Sequence, residues 1–142
     1  MRRLKKRRKH KYQMSPNKHF YNLVGGIRKR CGLTNEEVSS LKAWLDDVKQ
    51  NEPTNCEYCS SKIKFIQVSI DHRQPMSRGG TSSLDNLCVC CKQCNQAKGN
   101  MTEVEWRSLL YIFAGFEDGG ERIIKRLVAA GNMYRRWGHG RR

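Results

Sequence analysis

The chain has 142 residues, which suits one small domain with extensions. Its formal net charge of +15 predicts a polyanionic partner, with nucleic acid expected first and an anionic membrane surface as the alternative. No apolar run approaches the roughly 18 residues of a membrane span, and the basic N-terminus continues into polar sequence, so neither a spanning helix nor a secretory signal is expected. We therefore expect a cytoplasmic protein, in a bacterium or a phage-infected host cell, where Cys-x-x-Cys pairs indicate metal ligands rather than disulfides.

Residues 1–16 form a strongly basic tail. We predict that this tail is disordered alone and orders on phosphate groups, and a solvated tail or an address signal is the alternative. The cations concerned are Arg2, Arg3, Lys5, Lys6, Arg7 and Arg8.

A helical extension is predicted over 17–52. Its first part favours a short, weak helix interrupted by Gly25-Gly26. A better helix follows, because Thr34 and Glu37 form a capping box. Apolar residues then recur at helical spacing, which indicates core packing rather than a site. Pro53 is predicted to end this helix.

The segment 53–106 contains the polar residues that indicate chemistry. Cys56 and Cys59 form a Cys-x-x-Cys knuckle, and residues 64–70 alternate as a strand does. A polar loop with Pro75 and Gly79-Gly80 follows. The stretch "NLCVCC" then favours a second strand, and "CNQAKGN" favours the start of a helix.

Residues 107–142 are predicted to hold C-terminal helices and a short basic tail. One helix should run from about residue 101 to residue 116, since Thr102 and Glu105 form a second capping box. A last amphipathic helix follows Gly119-Gly120. Four side chains of the first helix are predicted to face the core: Val104, Leu109, Leu110 and Phe113.

The cysteine spacing predicts a structural zinc site, because zinc takes four soft ligands in a tetrahedron. Cys56/Cys59 supply two ligands, whereas both Cys88/Cys91 and Cys91/Cys94 have the spacing for the other two. We favour Cys91/Cys94, since Cys88 and Cys90 lie in an apolar strand-like segment where cysteine behaves as a small hydrophobe. Reduced, buried cysteines without a metal are the alternative, and neither Cys88, Cys90 nor Cys31 receives a role.

Asp71-His72 is the candidate for chemistry between the two knuckles. A neutral histidine can take a proton from water, and a carboxylate can hold Mg²⁺. Neighbouring residues of a regular strand face opposite ways, so the pair can serve one site only if the strand ends here. Asn95 and Lys98 share a helix face, on which Asn95 could complete a metal site and Lys98 could meet a phosphate.

The order Cys-x-x-Cys, Asp-His, Pro, Gly-Gly, Asn-Leu, Cys-x-x-Cys-Asn-x-x-Lys over residues 53–106 resembles the HNH endonucleases with a ββα-metal site. The continuation "KGNMTEVEW" is similar to the sequence that follows this motif in phage-encoded members of the family. The resemblance implies an α+β fold: a small ββα core stapled by zinc and flanked here by helices and basic tails. It also implies cleavage that leaves a 3′-hydroxyl and a 5′-phosphate.

The resemblance also implies roles for individual residues. His72 matches the general base, Asp71 and Asn95 match ligands of a catalytic divalent metal, and Asn86 matches the residue that braces the loop and orients the histidine. An asparagine oxygen favours Mg²⁺ or Mn²⁺ over softer ions. The zinc ligands implied are Cys56, Cys59, Cys91 and Cys94. The nucleic-acid-binding cations expected within the segment 53–106 are Arg73, Arg78 and Lys98.

The sequence thus predicts a metal-dependent endonuclease that hydrolyses DNA, with RNA as the alternative partner. One alternative is a non-catalytic zinc module that binds nucleic acid. Another is a nuclease subunit that acts only within a larger phage or RNA-guided nucleoprotein complex. A homing nuclease is a narrower form of the main hypothesis.

Overall fold

The computed structural model describes residues 14–138, with side chains described as far as residue 131. The helices of this part are α1 (Pro16–Cys31), α2 (Asn35–Gln50), α3 (Lys92–Lys98), α4 (Glu103–Ala114) and α5 (Glu121–Gly138). The strands are β1 (Thr54–Asn55), β2 (Lys62–Ile63), β3 (Val68–His72) and β4 (Leu87–Cys91). They form two antiparallel pairs, β1–β2 and β3–β4. The predicted α+β class is confirmed.

The centre of the fold is β3, β4 and α3. The register of the β3–β4 pair runs from Val68 opposite Cys91 to His72 opposite Leu87. Helix α3 begins directly after β4, and Cys91 caps it by accepting a hydrogen bond from the Cys94 backbone N–H at 3.3 Å. This ββα unit, which the sequence predicted, runs α3 back along β3, so that the C-terminal end of α3 meets the end of the strand.

The predicted break at Gly25-Gly26 is wrong, because helix α1 runs through both glycines without interruption. Ser15 caps its N-terminus and Pro16 occupies the first turn. Phe20, Val24 and Ile27 are buried on one face. Each glycine costs a helix about 1 kcal/mol relative to alanine, and burying these three side chains offsets that cost.

The strand predicted over 64–70 is shorter in the structure, because its first part forms a turn. Residues 65–67 form a 3₁₀ turn, closed by a hydrogen bond from Gln67 N to the Lys64 carbonyl at 2.8 Å, and Phe65 is fully buried. The strand β3 therefore begins only at Val68 and ends at His72. The strand does end at the Asp71-His72 pair, as a shared site for the two side chains requires.

Helices α2 and α4 begin with the two predicted capping boxes, at Thr34 and at Thr102. The predicted inward face of α4 is partly wrong, because Val104 is 74% exposed. Trp106 is fully buried in its place, and the two residues point roughly 200° apart around the helix. Phe113, almost two turns later, is buried on the same face as Trp106.

Helix α5 packs against α3. A Cβ atom at Gly131 would lie 2.9 Å from the backbone oxygen of Gln96, so the two helices approach closely at a glycine. This contact adds α5 to the elements that hold the short α3. No helix in the described part of the chain is both long and apolar enough to cross a membrane.

Candidate active site

The four thiols of Cys56, Cys59, Cys91 and Cys94 form one cluster in which every sulfur lies within 4.8 Å of the others. Cys59 Sγ and Cys91 Sγ are 3.9 Å apart. Zinc with Zn–S bonds of about 2.3 Å would place its sulfur ligands about 3.8 Å apart, so this donor set fits a tetrahedral zinc ion. The β1–β2 hairpin supplies one pair of thiols, and the junction of β4 with α3 supplies the other.

The structure brings Cys91/Cys94, rather than Cys88/Cys91, to the first knuckle. Cys88 and Cys90 are fully buried in β4, and Cys90 Sγ donates to the Ser69 carbonyl at 3.5 Å. Hydrogen bonds with the Cys56 and Cys91 thiols raise the pKa of Cys94, because crowded thiols cannot all ionise together. A divalent cation would remove this obstacle by neutralising the thiolates.

Asp71 is buried near the end of β3 and is held through one oxygen. Its Oδ2 atom accepts a hydrogen bond from Tyr58 Oη at 2.6 Å and forms an ion pair with Lys98 Nζ at 2.9 Å. Burial, followed by the hydrogen bond to Asp71, raises the pKa of Tyr58, so the phenol stays protonated and donates. With Oδ2 engaged from behind, Oδ1 is the oxygen that could bind a cation.

His72 follows Asp71 and is half-buried. Its Nε2 atom lies 2.9 Å from Ser82 Oγ and 3.8 Å from Cys31 Sγ at the end of α1. Desolvation lowers the pKa of His72; the Asp71 charge opposes this shift, and the charges of Arg30 and Lys98 reinforce it. The imidazole is therefore neutral at neutral pH, which is the form that can accept a proton.

Asn95 reaches the same strand from α3. Its amide nitrogen donates to Ser69 Oγ at 2.6 Å and to the Ile70 carbonyl at 3.1 Å. These two hydrogen bonds set the orientation of the amide group. The carbonyl oxygen of Asn95 is the atom that could act as a hard ligand together with Asp71.

Asn86 closes the loop that connects β3 and β4. Its Oδ1 atom accepts from Gln74 N at 2.8 Å, while its Nδ2 atom donates to the Gln74 carbonyl at 3.0 Å and the Thr81 carbonyl at 2.6 Å. Gly80 lies so close that a Cβ atom there would be 1.9 Å from the Gln74 oxygen. Asn86 therefore holds the loop and does not line the cleft that contains His72.

One cleft of about 730 Å³ is lined by Asp71, His72 and Asn95 together. Ser69 and Ile70 form its floor with them, and the 3₁₀ turn after Pro75 forms one side. The other side is α1, through Gly26, Arg30 and their neighbours. A carboxylate, a neutral imidazole and an amide thus face the same space beside a cluster that fits zinc.

Two comparisons with known proteins concern this region of the chain. Residues 56–101 match the family model described as HNH endonuclease. This segment is an HNH endonuclease domain. The chain is also 36% identical over 69 residues to a CRISPR-associated endonuclease Cas9 of Corynebacterium diphtheriae. The aligned part is 48% of this chain and only 6% of that relative, so the similarity concerns one region of a much longer protein.

Lys98 lies in the interior of the HNH domain, whereas a residue that meets a phosphate was expected at its surface. Its side chain is fully buried, and Nζ contacts Asp71 Oδ2 and donates to the His72 carbonyl at 2.9 Å. A lysine held in this way cannot reach a phosphate at the surface. Its ammonium instead neutralises the Asp71 carboxylate and anchors the end of β3.

The other predicted phosphate-binding residues of the HNH domain are also paired. Arg73 bridges Glu57 at 2.6 Å and Glu103 at 2.9 Å, and Arg78 pairs with Glu105. Arg73 therefore ties the zinc knuckle to α4, and neither guanidinium is fully available to a ligand. The tail residues Arg2, Arg3, Lys5, Lys6, Arg7 and Arg8 lie outside the described residues.

Two residues near the HNH site were missed by the sequence interpretation. Tyr58 lies between the first two zinc-type cysteines, and the sequence offers no sign that it reaches Asp71. Arg30 belongs to α1, outside the matched segment, within a run of basic residues that looks like a solvated helix end. Tyr58 and Arg30 each reach the site only because separate segments of the chain pack together.

Proposed function

We propose that this protein is a metal-dependent endonuclease that hydrolyses DNA phosphodiester bonds. The observation that carries the proposal is the convergence of Asp71, His72 and Asn95 on one cleft of the HNH domain. The net charge of +15 supports a nucleic-acid substrate that is bound through its phosphate backbone, and we propose no more than weak sequence specificity. RNA remains the second substrate to test.

The proposed chemistry uses His72 as the general base. Its neutral imidazole takes a proton from the water whose oxygen bonds to phosphorus, the P–O3′ bond breaks, and the 3′ oxygen takes a proton from solvent. A divalent ion, Mg²⁺ or Mn²⁺, held by Asp71 and Asn95 would stabilise negative charge on the phosphate and the departing oxygen. Asn86 positions the loop on which the histidine depends.

The cysteine cluster supports a structural role for zinc in the same proposal. Its two halves lie on separate elements, β1–β2 and β4–α3, so a bound ion would join them. Because Asn95 follows Cys94 directly, the helix that would hold zinc also positions a candidate metal ligand. We place the protein in the cytoplasm, because thiols stay reduced there and free to bind zinc.

The decisive experiment is cleavage of a supercoiled plasmid by the full chain with Mg²⁺ or Mn²⁺. We expect nicked or linear products, and a loss of about 10²- to 10⁴-fold in rate for His72→Ala. Zinc content and DNA affinity of that variant should match the wild type. Equal cleavage by His72→Ala would exclude the proposed mechanism. Binding that needs no added Mg²⁺ or Mn²⁺, without cleavage, would favour a non-catalytic zinc module.

A second candidate is a nuclease that acts only within a larger assembly. The observation that favours it is the match to 6% of a much longer CRISPR-associated endonuclease. Activity that appears only after addition of cell extract or a co-expressed partner, and that is lost in His72→Ala, would identify this case.

A further inference from the structure

The wall of the cleft opposite the candidate catalytic residues is helix α1. Asn22, Gly26 and Arg30 line it and follow each other at intervals of four residues, so they form one stripe along the helix. None of the three belongs to the segment 56–101 that matches the HNH family model. This part of the site is therefore supplied by the N-terminal extension of the chain.

Helix α1 is attached to β3 near both ends of the strand. His19 Nε2 lies 2.9 Å from the carbonyl oxygen of Val68, where β3 begins, and Cys31 Sγ lies 3.8 Å from His72 Nε2, where β3 ends. Thirteen helical residues span about 18 Å, which is enough to follow a five-residue strand along its whole length. Phe20, Val24 and Ile27 bury the inner face of the helix in the core.

Arg30 is the one cationic residue among the described residues that line this cleft. Its guanidinium lies over Gly26, where a Cβ atom would be 3.6 Å from one of its terminal nitrogens. It is exposed and forms no ion pair with any described residue, in contrast to Arg73, Arg78 and Lys98. The cleft thus has one unpaired fork of hydrogen-bond donors beside His72 and Asp71.

We propose that α1 is a substrate-binding wall of the nuclease cleft and that Arg30 binds the phosphate group that is cut. The inference rests on the proposed function, since it requires nucleic acid in the cleft. A guanidinium can bond two phosphate oxygens at once, and it stabilises the charge that these oxygens gain as water attacks. Gly26 leaves the space in which the Arg30 guanidinium lies.

Single-turnover cleavage, with protein saturating a supercoiled plasmid, tests the role of Arg30. We expect Arg30→Ala to lower the first-order rate constant by about 10²-fold, and Arg30→Lys to recover part of it because charge returns without the fork. Lys29→Ala is the matched control, since it removes the same charge from the adjacent exposed residue, which does not line the cleft. Equal rate constants for Arg30→Ala and Lys29→Ala would overturn the proposal.

A pair of glycine variants tests the wall without removing charge. Gly26→Leu would extend a side chain on the cleft face into the space that the Arg30 guanidinium occupies, whereas a Cβ atom at Gly25 meets nothing within 4 Å. Both changes favour the helix equally, so folding is matched. We expect Gly26→Leu to weaken DNA binding and cleavage at least tenfold relative to Gly25→Leu, and equal behaviour of the two would count against a substrate-binding wall.

Binding measurements separate this inference from the proposed function. If the wild-type chain does not cut DNA, the proposed function fails, and anisotropy titration of a labelled duplex still tests the wall. Weaker binding by Arg30→Ala and Gly26→Leu than by Lys29→Ala and Gly25→Leu would support it. Cleaving wild type with no difference within either pair would overturn the inference and leave the proposed function intact.

Discussion

Lys98 Nζ lies 2.9 Å from Asp71 Oδ2, and the lysine side chain has no solvent exposure. The same ammonium group donates to the carbonyl of His72. One buried cation therefore fixes both members of the Asp-His pair, the first through its carboxylate and the second through its backbone. This contact links α3 to the end of β3 at the candidate active site.

Replacing Lys98 by methionine should expose the importance of this ion pair. Lys98→Met keeps the apolar stem but leaves the buried Asp71 carboxylate without its cation, so we expect the free energy of unfolding to fall by about 3–5 kcal/mol. Urea denaturation measures this change. Added Mn²⁺ should restore part of the loss, because a cation at Asp71 would replace the missing charge.

Lys92→Met is the control for that experiment, since Lys92 is exposed in the same helix. We expect it to change the free energy of unfolding by less than about 0.5 kcal/mol. If Lys98→Met were equally mild, the buried pair would contribute little to stability.

Tyr58→Phe should alter the site more subtly. The variant removes the hydroxyl that donates to Asp71 Oδ2 but keeps the ring, over which the Arg107 guanidinium lies at 5.3 Å. We expect a loss of about 1.5–3 kcal/mol in unfolding free energy and slower cleavage, because Asp71 loses one of its two anchors. Tyr111 is 85% exposed, so the control Tyr111→Phe should leave the unfolding free energy and the cleavage rate unchanged. A wild-type cleavage rate in Tyr58→Phe would show that Lys98 alone positions the Asp71 carboxylate.

Zinc stoichiometry tests the cysteine cluster directly. Cys94→Ser should reduce bound zinc well below one ion per chain and lower the thermal midpoint, because a structural zinc site uses all four thiolates. Cys31→Ser, which changes a half-buried cysteine outside the cluster, should retain one zinc. Elemental analysis of the purified proteins would contradict the site if the two variants carried equal zinc.

Loop ordering by Asn86 can be followed by amide hydrogen exchange. Asn86→Ala removes the acceptor for Gln74 N and both donors of the amide group, so the Gln74 amide should exchange faster and cleavage should slow. Asn86→Asp keeps the acceptor and should give intermediate exchange at Gln74. Unchanged exchange in Asn86→Ala would show that the loop is held by other contacts.

Much of the domain was predictable because its signals are local. The capping boxes at Thr34 and Thr102 depend on residues three positions apart, and both form as predicted. The α+β class was implied by the resemblance to the HNH endonucleases, and that resemblance over 53–106 agrees with the family match at 56–101. The domain boundaries and the roles of His72, Asp71 and Asn95 stay predictions that the experiments above can test.

The sequence by itself determined which residue types were present for zinc, metal and proton chemistry, and in what order, since spacing along the chain restricts a turn or a helix directly. Only the tertiary structure decided which of these side chains are buried and which face the cleft. Lys98 meets Asp71 across 27 positions, and Arg30 lines the cleft from a helix outside the matched domain. Such contacts depend on how elements distant in sequence pack together, because burial and ion pairing are set by three-dimensional neighbours rather than by local pattern.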